Sequence, residues 1–198
     1  MSSFVDNDKR IGSEVSFLVL SIVLLFSNVV YSQNVFDSAE AAREGSDDRR
    51  TVFYACLAAE YGGEVVDDPY AEKGRAVKVS PADKLYGEVV LKGLGGTFEE
   101  GPYVITFYIR TEGGLGSDRA VAEVEVARRK QGSGEDYVVA DMRRVTGVTF
   151  TDEETYSAVC LDVSLGEPEE LDFRVRYIGN AVLYFDRVTV EKNETPGK

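Results

Sequence analysis

Histidine and tryptophan are absent from this 198-residue chain, and cysteine (2), methionine (2) and proline (5) are scarce. Each absence narrows what the protein can do. Without an imidazole base, histidine-assisted serine and cysteine nucleophiles are excluded. The commonest side-chain ligand of transition metals is missing with it. Carboxylate pairs, Lys and Tyr are the remaining catalytic material. Asp67–Asp68 and Glu99–Glu100 are neighbours in sequence. Neighbours on a strand point to opposite faces, so neither pair forms a poised acid and base, and no catalytic residue is assigned. Cations are also in short supply: 22 Lys and Arg stand against 35 Asp and Glu, a net charge of −13. That balance argues against nucleic acid and anionic membrane surfaces, whose phosphates need clustered Lys and Arg.

What is present begins with an apolar run. Lys9 and Arg10 precede VSFLVLSIVLLFSNVV, about 16 residues, short for a membrane span and usual for a signal-peptide core. Val30-Tyr31-Ser32 offers a cleavage site after Ser32. Residues 1–32 read as a signal peptide or a retained anchor helix, with residues 15–31 as the membrane tether in the second case. Both readings place the rest outside the cytoplasm, secreted or anchored at the cell surface. Residues 33–50 are polar and rich in small side chains, and read as a flexible linker. Residues 193–198 read as a tail, with a glycosylation sequon at Asn193-Glu194-Thr195. Export would permit a disulfide between Cys56 and Cys160, closing a long loop. Two buried free thiols are the alternative.

From Thr51 onward the pattern is β. TVFYACLA, RAVKVS and GEVVLKG are rich in strand formers, the last entering a turn-prone GLGG. In PYVITFYIRT, Tyr103, Ile105, Phe107 and Ile109 share one face, and Val104, Thr106, Tyr108 and Arg110 the other. RAVAEVEVA, DYVVADMRRVTGVTF, YSAVCLDVSL and ELDFRVRYI continue the alternation. TEGGLGSD and KQGSGED join strands rather than opening helices, so they are hairpin loops and not phosphate cradles. Gly179-Asn180 suits a tight hairpin between the last two strands. About eight or nine strands with Gly- and acid-rich turns make a domain of residues 51–192, an all-β, two-sheet antiparallel β-sandwich.

The final strand holds an oddity. Val182, Tyr184, Val188 and Val190 share a face by parity, and Asp186 falls in its middle. A buried unpaired carboxylate is very costly, so Asp186 needs a partner or must turn outward. Leu183 and Phe185 have the opposite parity from Val188 and Val190, so a β-bulge near Asp186 would switch the buried phase.

Three stretches in order carry a resemblance. AAEYGGEVVDDPYAEKGRAVKVS, EEGPYVITFYIRT and ELDFRVRYIGNAVLYFDRVTVEK resemble the opening, middle and closing motifs of galactose-binding-like jelly rolls, most of all calcium-containing carbohydrate-binding modules. The likeness runs from Thr51 to Lys192. It implies a jelly roll and a structural calcium ion held by Glu60 and Asp186. The family's first opening Glu falls on Ala58 here, which removes one anionic ligand.

Jelly-roll modules take sugars on a sheet face or in loops at one end. Tyr108 and Arg110 lie on the outward parity of one strand, and Arg174 and Arg176 on that of another. If their strands share a sheet, they form a surface whose arginines could fork to an anionic sugar. Cross-strand pairing of those arginines with Glu123 and Glu125 is the plainer alternative. Tyr61 and Tyr70, beside Asp67 and Asp68, make a second candidate in the early loops. Two functions follow. One is an exported, non-catalytic carbohydrate-binding module for a cell-surface or environmental polysaccharide. The other is an extracellular structural or adhesion domain that binds a surface protein. A concave groove around Tyr108, Arg110, Arg174 and Arg176 would favour sugar, and a flat or covered face a protein partner.

Overall fold

The structure, a computed structural model, describes residues 43–47, 50–58, 60–129 and 137–193, with backbone alone at 43–47 and at Glu60 and Tyr61. They belong to one compact unit, Ser38–Lys198. The apolar segment read as signal or anchor, most of the linker and Thr195 of the sequon lie outside the described residues. Among the described residues no helix is long and apolar enough to cross a membrane.

Twelve strands run in chain order: β1 Arg43–Asp47, β2 Arg50–Tyr54, β3 Glu60–Tyr61, β4 Glu64–Asp67, β5 Arg75–Val79, β6 Val89–Phe98, β7 Gly101–Glu112, β8 Ala120–Arg129, β9 Tyr137–Thr146, β10 Ser157–Leu165, β11 Glu169–Tyr177 and β12 Val182–Lys192. They form two antiparallel sheets of seven and five strands. In the first, β12 pairs with β7 along one side and with β2 and β5 along the other; β7 also pairs β10, β5 pairs β4 and β2 pairs β1. The second has the order β3-β6-β11-β8-β9.

The pairing is nested. β5 meets β12, β6 meets β11, β7 meets β10 and β8 meets β9. Nesting of this kind is what an antiparallel ribbon wrapped into two sheets produces, a jelly roll. The parity read from sequence sets the core. Ile105, Phe107 and Ile109 of β7 face Val124 and Val126 of β8 and Phe173 and Val175 of β11, all at most 1% exposed. Phe173 sits among Phe53, Phe98 and Phe107 at ring separations of 5.5 to 6.4 Å. Burying each such ring contributes on the order of 2–3 kcal/mol, which is why alternation dominates the fold.

Several local expectations change. β11 and β12 do not form a hairpin: β11 lies in the second sheet and β12 in the first. Gly179 (φ 99°) and Asn180 (φ 71°) instead carry the chain from sheet to sheet. TEGGLGSD likewise crosses between sheets, from β7 to β8, whereas KQGSGED lies between two strands that do pair, β8 and β9. Alternation names a buried face but not the neighbouring strand, so connectivity was misread at both crossings. GLGG does not end a strand, because β6 continues through it to Phe98. Gly95 is needed there by close approach: a Cβ would meet the Leu171 carbonyl oxygen at 2.0 Å. β1 falls inside the stretch read as linker and pairs with β2.

Candidate functional site

The residues expected to form one surface are divided between two. Tyr108 and Arg110 lie on β7 of the first sheet, and Arg174 and Arg176 on β11 of the second. Both pairs do turn outward, so they point away from each other with the core between them. The surface on which all four would meet a ligand does not exist.

On the first sheet the outer face is roofed by the loop between β4 and β5. Asp68 stands at its start, 2% exposed. Its Oδ2 accepts hydrogen bonds from Arg110 Nη2 (2.8 Å) and the Tyr156 hydroxyl (2.7 Å), and its Oδ1 from the Tyr70 N–H (3.0 Å). Burial by itself would raise the Asp68 carboxyl. The Tyr156, Arg110 and Tyr70 donors outweigh it and hold the group below its ordinary value. Arg110 is buried as well. Its guanidinium carbon lies 3.8 Å from the Tyr184 ring centre and 5.2 Å from that of Tyr70, and Nη1 donates to the Glu153 carbonyl at 2.7 Å. Ala71, Ala76 and Tyr184 form a small apolar cluster there, packed with Val66, Tyr156 and Val182. Arg110 is thus a structural cation and not a free sugar-binding fork. Tyr70 remains accessible at 46%.

A second latch sits beside the first. The β12–β7 register shifts between Phe185 and Arg187, the bulge expected from the change of parity. On a regular strand adjacent side chains diverge, but a bulge brings two to one face. Asp186 and Arg187 can therefore touch: Arg187 Nη1 contacts Asp186 Oδ2. Arg187 stacks on Tyr108, 3.8 Å from its ring centre. Its Nε lies 2.6 Å from Glu72 Oε2, an ion-pair contact without hydrogen-bond alignment. The Glu72 N–H also donates to Asp186 Oδ2, at 3.3 Å. Asp186 is fully buried, its Oδ1 has no hydrogen-bond partner among the described residues, and burial pushes its carboxyl above the ordinary value.

These residues can be tested against the implied calcium. Calcium takes six to eight oxygens. Asp186 offers one unengaged oxygen, and Arg187 already occupies the position between Asp186 and Glu72. Among the described residues no three acidic or thiol side chains converge on a metal position. β3, which carries Glu60, belongs to the second sheet, and the side chains of Glu60 and Tyr61 lie outside the described residues. The described residues thus supply one unengaged carboxylate oxygen at Asp186, against the six to eight oxygens that calcium takes.

The second sheet's outer face carries a lattice of ion pairs in which the carboxylates of Asp172 and Glu125 are buried and the arginines are more exposed. Arg174 Nε meets Asp172 Oδ2 at 2.6 Å, and its guanidinium lies 4.4 Å from the Tyr137 ring centre. Asp172 Oδ1 accepts the Gly93 N–H at 2.8 Å. Burial still raises the Asp172 carboxyl, with Arg174 and Gly93 offsetting part of the effect. Arg176 Nε meets Glu125 at 3.1 Å, and Arg144 Nη2 meets Glu123 at 3.3 Å. Of the three arginines read as candidates, Arg176 makes the cross-strand pairing with Glu125 of the plainer sequence reading, whereas Arg174 pairs with Asp172 on its own strand and Arg110 with Asp68.

Cys56 and Cys160 are free thiols. Cys160 lies on β10, its Sγ 3.5 Å from Thr106 Oγ1, while Cys56 lies in a 3-10 turn after β2. Strands β7 and β12 separate β10 from β2. That order puts roughly 14 Å between the two strands, beyond the reach of a disulfide.

Sequence reasoning missed Glu72, Tyr137, Tyr156 and Arg187. Arg187 carried a signal, since it shares with Asp186 the point where parity breaks. Tyr184 was read as core and belongs to the outer cluster.

No family model matches the chain, and no curated protein matches its sequence. Among solved structures it is similar to the C-terminal CBM6 of LamC, a marine laminarinase from Zobellia galactanivorans, at 12% identity, covering 72% of this chain and 99% of that one, TM-score 0.44. It is also similar to the carbohydrate-binding module CBM6cm-2 of Cellvibrio mixtus lichenase 5A, in complex with cellotriose, at 13% identity, covering 72% and 97%, TM-score 0.46. A third is the exo-β-1,3-galactanase of Phanerochaete chrysosporium, at 14% identity and TM-score 0.46, covering 71% of this chain and 29% of that one. The chain therefore spans under a third of the galactanase. At such identities the position of a site does not transfer, and the jelly-roll assignment rests on this chain's own nested pairing.

Proposed function

We propose that the chain is an exported, non-catalytic carbohydrate-binding module that takes a polysaccharide on the outer face of its first sheet. The observation that carries this reading is Tyr70. It is 46% exposed, yet its ring is braced 5.2 Å from the buried Arg110 guanidinium, and its N–H is held by Asp68. A fixed, exposed aromatic ring is a platform for the apolar face of a sugar. Hydrogen-bonding groups stand near it. The Glu154 carboxylate helps, after burial, to raise the Tyr70 hydroxyl, and the Tyr184 hydroxyl donates to Glu112 at 2.7 Å. Export rests on residues 1–32 of the sequence alone. The test is retention on insoluble polysaccharides together with a glycan array. Tyr70→Ala is expected to lower affinity about tenfold, the worth of one stacking contact, and to lower the melting midpoint by at most about 4 °C through loss of its contact with Arg110. A blank array with no retention overturns the reading.

One observation favours the other class of function. Edge strand β9 exposes Val139 (48%) and Met142 (50%), which oppose Ala127 and Glu125 on one face of β8. Such a strip suits a surface-protein partner in an adhesion role. Under that reading Val139→Asp removes a measured association and Tyr70→Ala does not.

A further inference from the structure

The bulge in β12 and the loop between β4 and β5 hold two carboxylates, Asp186 and Glu72, against one guanidinium. We propose that Arg187 is the built-in cation of this site, locking the loop onto the first sheet where a metal-dependent jelly roll would use calcium, so that the fold is calcium-independent. Three features support the assignment. Arg187 bridges carboxylates from two separate elements, which is what a structural ion does, contacting Asp186 on β12 and Glu72 on the loop. Its planar group is fixed by stacking on Tyr108 at 3.8 Å, so little side-chain freedom remains to be lost. The register shift at Phe185/Arg187 delivers cation and carboxylate to the same face, and the Glu72 N–H closes the arrangement on Asp186. A divalent ion at Asp186 Oδ2 would have to displace the guanidinium and leave it close to the ion that replaced it.

The test uses the full chain melted in calcium and in chelator, followed by hydrogen exchange. Indistinguishable midpoints are expected for the unmodified protein. Arg187→Met is expected to lower the midpoint by about 5 °C. It should also speed exchange of the Glu72 amide and its loop neighbours while β8 and β11 keep their protection. Calcium should restore neither. Arg187→Lys keeps charge without the flat fork, and should fall between the two. Glu72→Gln changes a side chain that is 45% exposed and keeps the fold, so it decides the case if Arg187→Met does not fold. Its loop amides should exchange faster with or without calcium. Any calcium-dependent rise in the unmodified midpoint overturns the proposal. So does unchanged Glu72 exchange in both the Arg187→Met and Glu72→Gln variants.

Discussion

The two outer faces of the sandwich use the same chemistry, arginine against carboxylate, at different depths. On the first sheet Arg110 and Asp68 are 8% and 1% exposed at their side chains, under a loop and three tyrosine rings. On the second, the pairs run from Arg174 against Asp172, at 20% and 9%, to Arg144 against Glu123, at 68% and 14%. Buried charges lose their hydration and depend on each other. Exposed ones keep water and gain little from pairing. The same contrast appears in two carboxyls. Asp68 has three donors on it and is held below its ordinary value, whereas Asp172 has Arg174 and one N–H and is raised by burial. Burial and donors compete at both carboxyls, and the donors prevail at Asp68 alone of the two.

The widest separation should come from breaking each face. Arg110→Met strands Asp68 in the interior, and should cost about 3–5 kcal/mol in urea unfolding. Arg144→Met on the second sheet's face should cost at most about 1 kcal/mol. Equal losses would mean that the loop does not shield the first face.

Acid should sharpen the carboxyl contrast. The folded Asp68 value is depressed, so its contribution is present above the unfolded value near ~3.9 and is lost as pH falls through the folded one. Asp172 is raised, so its ionised form costs stability at neutral pH, and that cost fades as pH falls through its folded value. Stability measured against pH should rise slightly on mild acidification, then fall steeply below ~4. Asp68→Asn should flatten the steep branch, and Asp172→Asn should shrink the rise to the share that the raised Asp186 carboxyl contributes.

Ligand binding should divide the faces more gently. Tyr70→Ala should weaken polysaccharide retention about tenfold. Arg174→Met should leave retention unchanged, since its guanidinium is engaged by Asp172 and Tyr137. The reverse result would move the site to the second sheet. Smallest of all is the expected effect of reductant. It should leave the melting midpoint where it is, and two thiols should titrate in the unfolded chain, because neither cysteine is bridged.

Much of the sandwich was legible because a period of two states which side chains are buried. Ile105, Phe107 and Ile109 are core as their parity requires, and Tyr108 and Arg110 turn outward. The bulge at Asp186 was legible for the same reason, since apolar parity breaks there. What escaped were relations across distance. Whether β7 and β11 share a sheet is set by how the ribbon wraps, and Gly179-Asn180 serves a crossing as well as a hairpin. Arg187 and Glu72 lie 115 positions apart, and no local pattern links them.

By itself, the sequence determined the β class and the faces of the longer strands, the acidic balance and the absence of histidine chemistry; it indicated about eight or nine strands where the structure has twelve. These follow from composition and from alternation, which are local. Tertiary structure alone decided which arginines were free. It buried Arg110 under the loop that Asp68 begins, and set Arg187 between Asp186 and Glu72, because a guanidinium removed from water must meet whatever carboxylate the fold brings within reach.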